Sequence, residues 1–190
     1  MDWRHMVCPS SCAGFLSNPL RRLIHSPRKI LHGHIHPGDT ILDFGCGPGY
    51  FTIPMAQAVG EEGMVIAVDI QDEMLELTRR TAEHEGLLSR IRLHRSSSGS
   101  LDLDMSPVVS FALAFHVLHE TTDQVSILKD LNRVLRPSGL LLIAEPVGIV
   151  GSREFHATVE TAIGAGFTEK ERPFILLSRS VLLEKATEPG

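Results

Sequence analysis

The chain has 190 residues, of which 43% are hydrophobic and 22% are charged, and its formal net charge is −5. These values are typical of an ordinary globular protein, and the length suits one domain that needs neither disulfides nor a structural metal. An acidic chain without a dense lysine and arginine run is a poor general nucleic-acid binder, and no apolar stretch reaches the roughly 18 residues that a membrane helix needs.

The amino-terminal segment is the least regular part of the sequence. Cys8 and Cys12, with His5, match no zinc spacing, and three cysteines in the whole chain give no disulfide framework, so a structural role is favoured. Residues 1–11 lack the apolar run of a signal peptide, and we therefore expect a cytoplasmic protein. Residues 1–36 contain three residue–proline boundaries and short apolar faces, which predict a helical lid segment ahead of a domain spanning residues 37–190.

Strand and helix patterns alternate from residue 40 onward, which implies a parallel sheet with right-handed crossovers. The predicted strands are Thr40–Phe44, Met64–Asp69, Ile91–His94, Pro107–Phe115, Leu140–Ala144, Phe167–Phe174 and Val181–Lys185. No helix fits between the last two, so they are predicted to form an antiparallel hairpin. The expected fold is a Rossmann-like, doubly wound α/β domain with a mostly parallel, seven-stranded sheet.

Four helices are predicted between these strands. They are Phe51–Val59, a helix capped by Asp72 and ended by Gly86, a helix capped by Asp123 and broken by Pro137–Gly139, and Ser152–Ala165. In the second helix, one apolar face is predicted from Met74, Leu75, Thr78 and Ala82. In the third helix, the residues predicted to face inward are Val125, Leu128, Leu131 and Leu135.

The strongest chemical signal is the run Asp43–Thr52, DFGCGPGYFT, placed where the first strand becomes a helix. Glycines there allow the backbone to pass close to a ligand, and the following helix start favours an anionic group. A glycine-rich turn that only closes the strand–helix unit is the alternative. Asp69 ends the second strand about 20 residues later, where a carboxylate can accept both ribose hydroxyls, and this spacing favours nucleotide binding.

With these residues in place, the sequence resembles the class I S-adenosylmethionine-dependent methyltransferases. The likeness is carried by Asp43–Thr52, Val65–Leu75 and Leu131–Pro146, and it covers about residues 35–185. Asn18–Arg22 and the pair His119 and Glu120 look like those of an uncharacterised prokaryotic subgroup. The resemblance implies S-adenosylmethionine as cofactor, S-adenosylhomocysteine as product, and a closing hairpin.

The resemblance also implies a role for individual residues. Asp43 would orient the loop and the cofactor's amino group, Gly45 and Gly47 would face its methionyl and ribose parts, and Asp69 would bind the ribose. The full set implied to bind the cofactor is Asp43, Gly45, Cys46, Gly47, Asp69, Ile70, Met74, Ser97, Ser98 and Phe115. Cys46 is included as the small residue that the loop needs and not as a nucleophile.

The sequence departs from the family pattern at two places. Where an acidic residue usually accepts from the adenine amino group, this chain has the serine-rich run Ser96–Ser100. A serine hydroxyl or a backbone carbonyl could take over that contact. Ser110 stands in the fourth strand where an aspartate is common. Both departures bear on the affinity for the cofactor more than on its identity.

His116, His119 and Glu120 form the densest cluster of titratable residues and are the candidate catalytic group. On a helical turn, His116 would neighbour both others, and a histidine that titrates near neutrality suits a general base. A structural turn and a His–His–Glu metal site are the alternatives, and no metal is expected. Glu145, at the end of the fifth strand, is expected to border the same cleft and to hold a donor group of the acceptor.

Together these patterns predict methyl transfer to a small-molecule acceptor whose identity the sequence does not specify. The alternatives are a non-catalytic S-adenosylmethionine-binding module that regulates a partner and a nicotinamide dehydrogenase, which Tyr50 and the hairpin argue against. Neither nucleic acid nor a membrane is an expected partner, and a homodimer is one option for the assembly. Deletion of residues 1–34 is expected to spare cofactor binding and to abolish transfer.

Overall fold

The computed structural model describes residues 24–186. These residues form two compact units, residues 24–96 and residues 97–186, called here the amino-terminal and carboxyl-terminal units. Most of the predicted lid, including His5, Cys8, Cys12 and Asn18–Arg22, lies outside the described residues. The lid and its boundary at residue 36 therefore stay predictions.

The amino-terminal unit alternates helices with three parallel strands. Its elements are α1 (Pro27–Ile30), β1 (Thr40–Phe44), α2 (Thr52–Val59), β2 (Met64–Asp69), α3 (Asp72–His84), a 3-10 turn (Leu88–Arg90) and β3 (Ile91–Arg95). β2 lies between β1 and β3, with Ile66 opposite both Leu42 and Arg92. Every residue of β2 after Met64 is buried, as its continuous apolar run predicts for a strand covered on both faces.

Helix α3 shows how the apolar pattern orients a helix against this sheet. Its four buried residues are the predicted face, Met74, Leu75, Thr78 and Ala82. The predicted cap is wrong by one position. Gln71 stands at the cap and its side chain makes no capping hydrogen bond, and Asp72 is the first helical residue, where its negative charge is stabilised by the positive end of the helix dipole.

The carboxyl-terminal unit combines two parallel strands with an antiparallel hairpin. Its elements are β4 (Val109–Phe115), a 3-10 turn (Leu118–Glu120), α4 (Gln124–Val134), β5 (Leu135–Pro146), α5 (Ser152–Gly164), β6 (Phe167–Glu171) and β7 (Ser178–Lys185). β4 is parallel to β5 and buried along its whole length, whereas β7 is antiparallel to both β5 and β6. The predicted hairpin is confirmed. β6 ends before the predicted Phe174, because Pro173 cannot donate to a strand ladder and Phe174 is 91% exposed.

The predicted break at Pro137–Gly139 takes the form of a bulge in β5. The strand begins directly after α4, but its pairing with β4 jumps from Val109–Leu135 to Phe111–Leu140. Ser138 has a φ of 58°, a left-handed conformation that does not fit a regular ladder. Regular pairing resumes at Leu140, the residue at which the sequence predicted the strand to begin.

The predicted cap of helix α4 is confirmed, but its predicted inward face is partly wrong. The Asp123 carboxylate accepts a hydrogen bond from the backbone N–H of Ser126 at 3.0 Å. The prediction that Val125 faces inward is wrong, since its side chain is 48% exposed. The helix face that packs against the core consists of Ile127, Leu128, Leu131 and Val134, so it includes Ile127 and Val134 in place of Val125.

The strand order is β3-β2-β1 in the amino-terminal unit and β4-β5-β7-β6 in the carboxyl-terminal unit. Because only the β7 pairings are antiparallel, the predicted Rossmann-like α/β class with a carboxyl-terminal hairpin is confirmed. Among residues 24–186, no helix has the length and apolar character that crossing a membrane would require.

Candidate functional site

The glycine loop between β1 and α2 is fixed to the end of β2 by its own backbone. The N–H groups of Gly45 and Cys46 both donate to the Val68 carbonyl oxygen, at 2.8 and 3.0 Å. Gly47 has a φ of 54°, and a Cβ added there would meet no atom within 4 Å. Its backbone therefore faces open space in a conformation that strains other residues, as close approach of a ligand requires.

Asp69 connects this loop to the start of α3. Its Oδ2 accepts the N–H of Gly47 at 2.8 Å, and its Oδ1 accepts the N–H of Gln71 at 2.9 Å. Burial raises the pKa of Asp69, and the N–H donors of Gln71, Gly47 and Ile70 oppose that effect. A carboxylate has about four acceptor positions, so these two bonds leave capacity for further donors.

Two threonines that the sequence analysis did not select hold the loop in place. Thr52, fully buried, donates its hydroxyl to the Asp43 carboxylate at 2.6 Å. Thr78 donates to the Gly47 carbonyl at 2.8 Å and packs against Gly49. A threonine on the otherwise apolar buried face of a helix was the available signal of such a role, because buried hydroxyls need hydrogen-bond partners.

The remaining cofactor candidates of this unit differ in exposure. Cys46 is buried, and burial followed by the charges of Asp43 and Asp69 raises the pKa of its thiol well above the usual 9.0. The thiol is therefore neutral, which agrees with its assignment as a small loop residue and not a nucleophile. Met74 is buried, whereas Ile70 is only half-buried and keeps surface available for a ligand.

Residues just before β1 also support the loop. The Tyr50 hydroxyl donates to the His25 carbonyl oxygen at 2.9 Å, and the side chains of His25 and Leu31 are buried. Deletion of residues 1–34 would remove these contacts from the unit that carries the glycine loop. The expectation that such a deletion spares cofactor binding stays a prediction, and it requires the loop to keep its conformation without these contacts.

In the carboxyl-terminal unit, the serine candidates lie in a loop that holds a carboxylate. The N–H of Ser97 donates to Asp102 Oδ2 at 3.0 Å, and the carbonyl of Ser98 accepts the Thr122 hydroxyl at 3.0 Å. Asp102 has a φ of 51°. The family pattern has an acidic residue where this chain has Ser96–Ser100, and the structure brings the carboxylate of Asp102 to that loop.

Phe115 and His116 occupy the end of β4. Their rings stack with centroids 4.2 Å apart, and His116 Nε2 lies 2.8 Å from the Ser178 hydroxyl oxygen. His116 has a φ of 58° and lies outside the 3-10 turn Leu118–Glu120. The expected helical spacing of His116 with His119 and Glu120 is therefore wrong, because the helical turn begins only at Leu118.

His119 pairs with Glu145, the residue that ends the apolar part of β5. Glu145 is 1% exposed, its Oε2 is hydrogen-bonded to His119 Nδ1, and its Oε1 accepts the N–H of Leu118 at 2.9 Å. Both oxygens are engaged by the chain itself. Glu145 thus orients an imidazole, and its expected contact with an acceptor stays a prediction.

This pairing leaves the second ring nitrogen of His119 as the reactive position. With Nδ1–H directed at Glu145, the neutral ring carries its lone pair on Nε2, which makes no hydrogen bond within residues 24–186 and lies 3.9 Å from Glu120. Burial lowers the pKa of His119. The hydrogen bond and charge of Glu145, with the charges of Glu120 and Glu154, outweigh burial and raise that pKa above its usual 6.5.

The same geometry bears on the metal alternative. In the part of the chain that the structure describes, no group of three His, Cys, Asp or Glu side chains is arranged to hold a metal ion. A half-buried histidine that is hydrogen-bonded to a buried carboxylate through one ring nitrogen is an arrangement expected of a general base.

Comparison with known proteins identifies the family. A family model described as a methyltransferase domain matches residues 35–175. A solved structure, a SAM dependent methyltransferase from Aquifex aeolicus, superimposes with a TM-score of 0.84 at 24% identity, covering 95% of this chain and 100% of that one. This likeness supports the fold described above.

Curated relatives match a shorter region. The ubiquinone/menaquinone biosynthesis C-methyltransferase UbiE of Teredinibacter turnerae is 34% identical over 111 residues, which are 58% of this chain and 44% of the relative. An uncharacterized 37.1 kDa protein in transposon TN4556 of Streptomyces fradiae is 36% identical over 110 residues, 58% of this chain and 31% of that protein. The match thus spans less than half the length of either relative.

Proposed function

The chain belongs to the class I S-adenosylmethionine-dependent methyltransferase family, and from that premise we propose that it methylates a small molecule that must lose a proton. The observation that carries the proton-loss part is the hydrogen bond between the half-buried His119 and the buried Glu145. The acidic net charge of the chain supports a small molecule over nucleic acid as acceptor.

The amino-terminal unit has features that suit the binding of S-adenosylmethionine. Gly47 offers backbone facing open space, and Asp69 retains acceptor positions for the ribose hydroxyls after its two backbone bonds. We assign Asp43, Gly45 and Cys46 to the loop that faces the methionyl part, and Ile70 and Met74 to the adenine side. Ser97, Ser98 and Phe115 are proposed as the cofactor contacts of the carboxyl-terminal unit.

Bound S-adenosylmethionine supplies an electrophilic methyl group and leaves as S-adenosylhomocysteine. The chain's own contribution is to hold the acceptor and to take its proton. His119 Nε2 accepts the proton, and the resulting imidazolium is stabilised by the carboxylate of Glu145 at Nδ1. Glu145 and Glu120 are therefore positioning residues that act through His119, and His116 positions Ser178.

The names of the relatives support an acceptor that needs a base. UbiE is named for C-methylation in ubiquinone and menaquinone biosynthesis, and methylation at carbon replaces a C–H bond, so a proton must leave. A thiolate acceptor would need no base. We therefore propose a phenolic, enolic or similarly acidic acceptor for this chain.

The experiment measures S-adenosylhomocysteine formed by the full chain with 1,4-naphthohydroquinone, phenol or benzenethiol as acceptor. The proposal predicts product with a hydroxyl-bearing acceptor, and loss of that product in His119→Gln while cofactor binding persists. A thiol as the sole acceptor, or full transfer by His119→Gln, would contradict the base. Binding of S-adenosylmethionine without transfer to any acceptor would favour the non-catalytic module instead.

A further inference from the structure

A pocket of about 340 Å³ lies in the carboxyl-terminal unit, beside the start of β7. Its wall includes Ser152 and Phe155 of α5, Arg172 of the loop after β6, and Ser178 and Arg179 of β7. The volume lies within the range of roughly 300–1,000 Å³ that is typical of small-molecule sites. No carboxylate is among the residues that line it.

Arg179 is the cation that this pocket has available. Its Nε donates to the Val150 carbonyl oxygen at 3.1 Å, and no carboxylate within residues 24–186 forms an ion pair with it. Arg172 differs, because its Nε and Nη2 already bind the Glu169 carboxylate at 2.7 and 2.9 Å. The positive charge of Arg179 is therefore not neutralised by a described acidic side chain.

The start of α5 adds backbone donors on the same side of the pocket. Gly151 stands at the cap and has no side chain to bond the first N–H groups of this 13-residue helix. The first helical bond is donated by Phe155 to Gly151 at 2.9 Å. The three preceding N–H groups, of residues 152–154, have no helical acceptor and project beyond the helix start, where an anion is favoured.

Three features relate the pocket to the proposed base. Ser178 of the pocket wall is hydrogen-bonded to His116, and Arg179 pairs in the β5–β7 register with Glu145. The charge of Glu154, in the first turn of α5, contributes to the raised pKa of His119. A molecule anchored in the pocket therefore lies in the same part of the unit as the His119–Glu145 pair.

The pocket also has an apolar side. Phe155 is buried in its wall, and Val147 lines it while remaining 43% exposed. The Val147 N–H donates to the Leu177 carbonyl at 3.1 Å, which brings the 56% exposed side chain of Leu177 into the same region. Cationic and hydroxyl groups thus occur together with exposed apolar surface.

We propose that this pocket binds an oxyanion, a carboxylate or a phosphate, carried on the apolar body of the methyl acceptor. Arg179 and the N–H groups at the start of α5 bind the anionic group, and Val147 and Phe155 contact the apolar part. The assignment of this ligand as the methyl acceptor rests on the proposed function. The binding of an oxyanion in the pocket is independent of the proposed function, and it can be measured without turnover.

The test uses calorimetric titration of the full chain with benzoate, phenyl phosphate and benzyl alcohol, three probes with one apolar ring and different head groups. We expect at least one anion to bind about tenfold more tightly than the alcohol, and Arg179→Gln to weaken it about tenfold, the size of a lost charged hydrogen bond. Arg179→Lys should retain most of the affinity. Arg136→Gln is the control, because Arg136 is exposed in the same unit and does not line the pocket.

A measurement on the unchanged protein guards against a folding defect in Arg179→Gln. With phenyl phosphate, the largest amide shifts in NMR should fall on Ser152, Arg153 and Glu154. Equal binding of alcohol and anions, undiminished binding by Arg179→Gln, or amide shifts elsewhere would each overturn the proposal. His119→Gln should leave probe binding unchanged and abolish transfer, so failure of the base and failure of the anion site are distinguishable.

Discussion

His119 and Glu145 are hydrogen-bonded through Nδ1 and Oε2 although they are 26 residues apart in the chain. Glu145 is buried and His119 is half-buried, and the second carboxylate oxygen of Glu145 accepts the backbone N–H of Leu118. This arrangement fixes the neutral tautomer of His119 with its lone pair on Nε2, the atom that a base must present.

Replacing His119 by glutamine should lower turnover by about 100-fold or more, the usual contribution of a general base. The affinity for S-adenosylmethionine should change less than about twofold, because the glycine loop and Asp69 are untouched. Single-turnover formation of S-adenosylhomocysteine and calorimetry measure the two effects. His84→Gln is the control, since the His84 side chain is 86% exposed. Equal loss of turnover and cofactor affinity would refute a role specific to the acceptor.

Asp69→Asn should weaken S-adenosylmethionine binding by roughly 1.5–3 kcal/mol, the scale of a lost charge-assisted hydrogen bond. Asparagine keeps one acceptor oxygen for the loop but loses the charge and the second acceptor. Calorimetric titration of the folded variant measures the change. Asp72→Asn is the matched control, because the carboxylate of Asp72 is exposed and pairs only with Arg95 among the described residues, at 3.1 Å. An unchanged affinity in Asp69→Asn would remove Asp69 from the cofactor site.

Thr52→Val should lower the free energy of unfolding by about 1.5–3 kcal/mol, because it removes a 2.6 Å hydrogen bond to a buried carboxylate. Valine has nearly the same shape, so packing changes little. Thr52→Ser keeps the hydroxyl and should cost only about 1 kcal/mol for the lost methyl group. Urea unfolding of both variants gives the comparison. If serine destabilises as much as valine, packing and not the hydrogen bond dominates at this position.

The order of strands and helices was predictable because apolar residues recur along each element with the spacing that a strand or a helix requires. The continuous run Val65–Asp69 and the stripe through Met74 and Ala82 correspond to buried surfaces in the structure. The sequence could not predict that the break forms a bulge around Ser138. The left-handed conformation of Ser138 accompanies the shift in pairing with β4, and local propensity does not favour it. The exposure of Val125 likewise depends on which face the sheet covers.

The donor residues Asp43, Gly47 and Asp69 could be selected from sequence because their spacing follows a strand–loop–helix–strand unit. Glu145 could be placed at the same cleft as His119, but its hydrogen bond to His119 could not be predicted, since it depends on the position of β5. Arg179 was missed for the same reason, because its alignment with Glu145 exists only in the antiparallel register of β5 and β7.

The pH dependence of methyl transfer in the unchanged protein and in Glu145→Gln tests the central claim most directly. The base acts when neutral, so the rate should rise with pH through a pKa above 6.5. Glutamine keeps an acceptor for the Leu118 N–H but removes the charge that raises the pKa of His119, so the rising limb should move to lower pH while the maximal rate falls about tenfold or more. An identical pH profile in the two proteins, or a limb that moves to higher pH, would contradict the account.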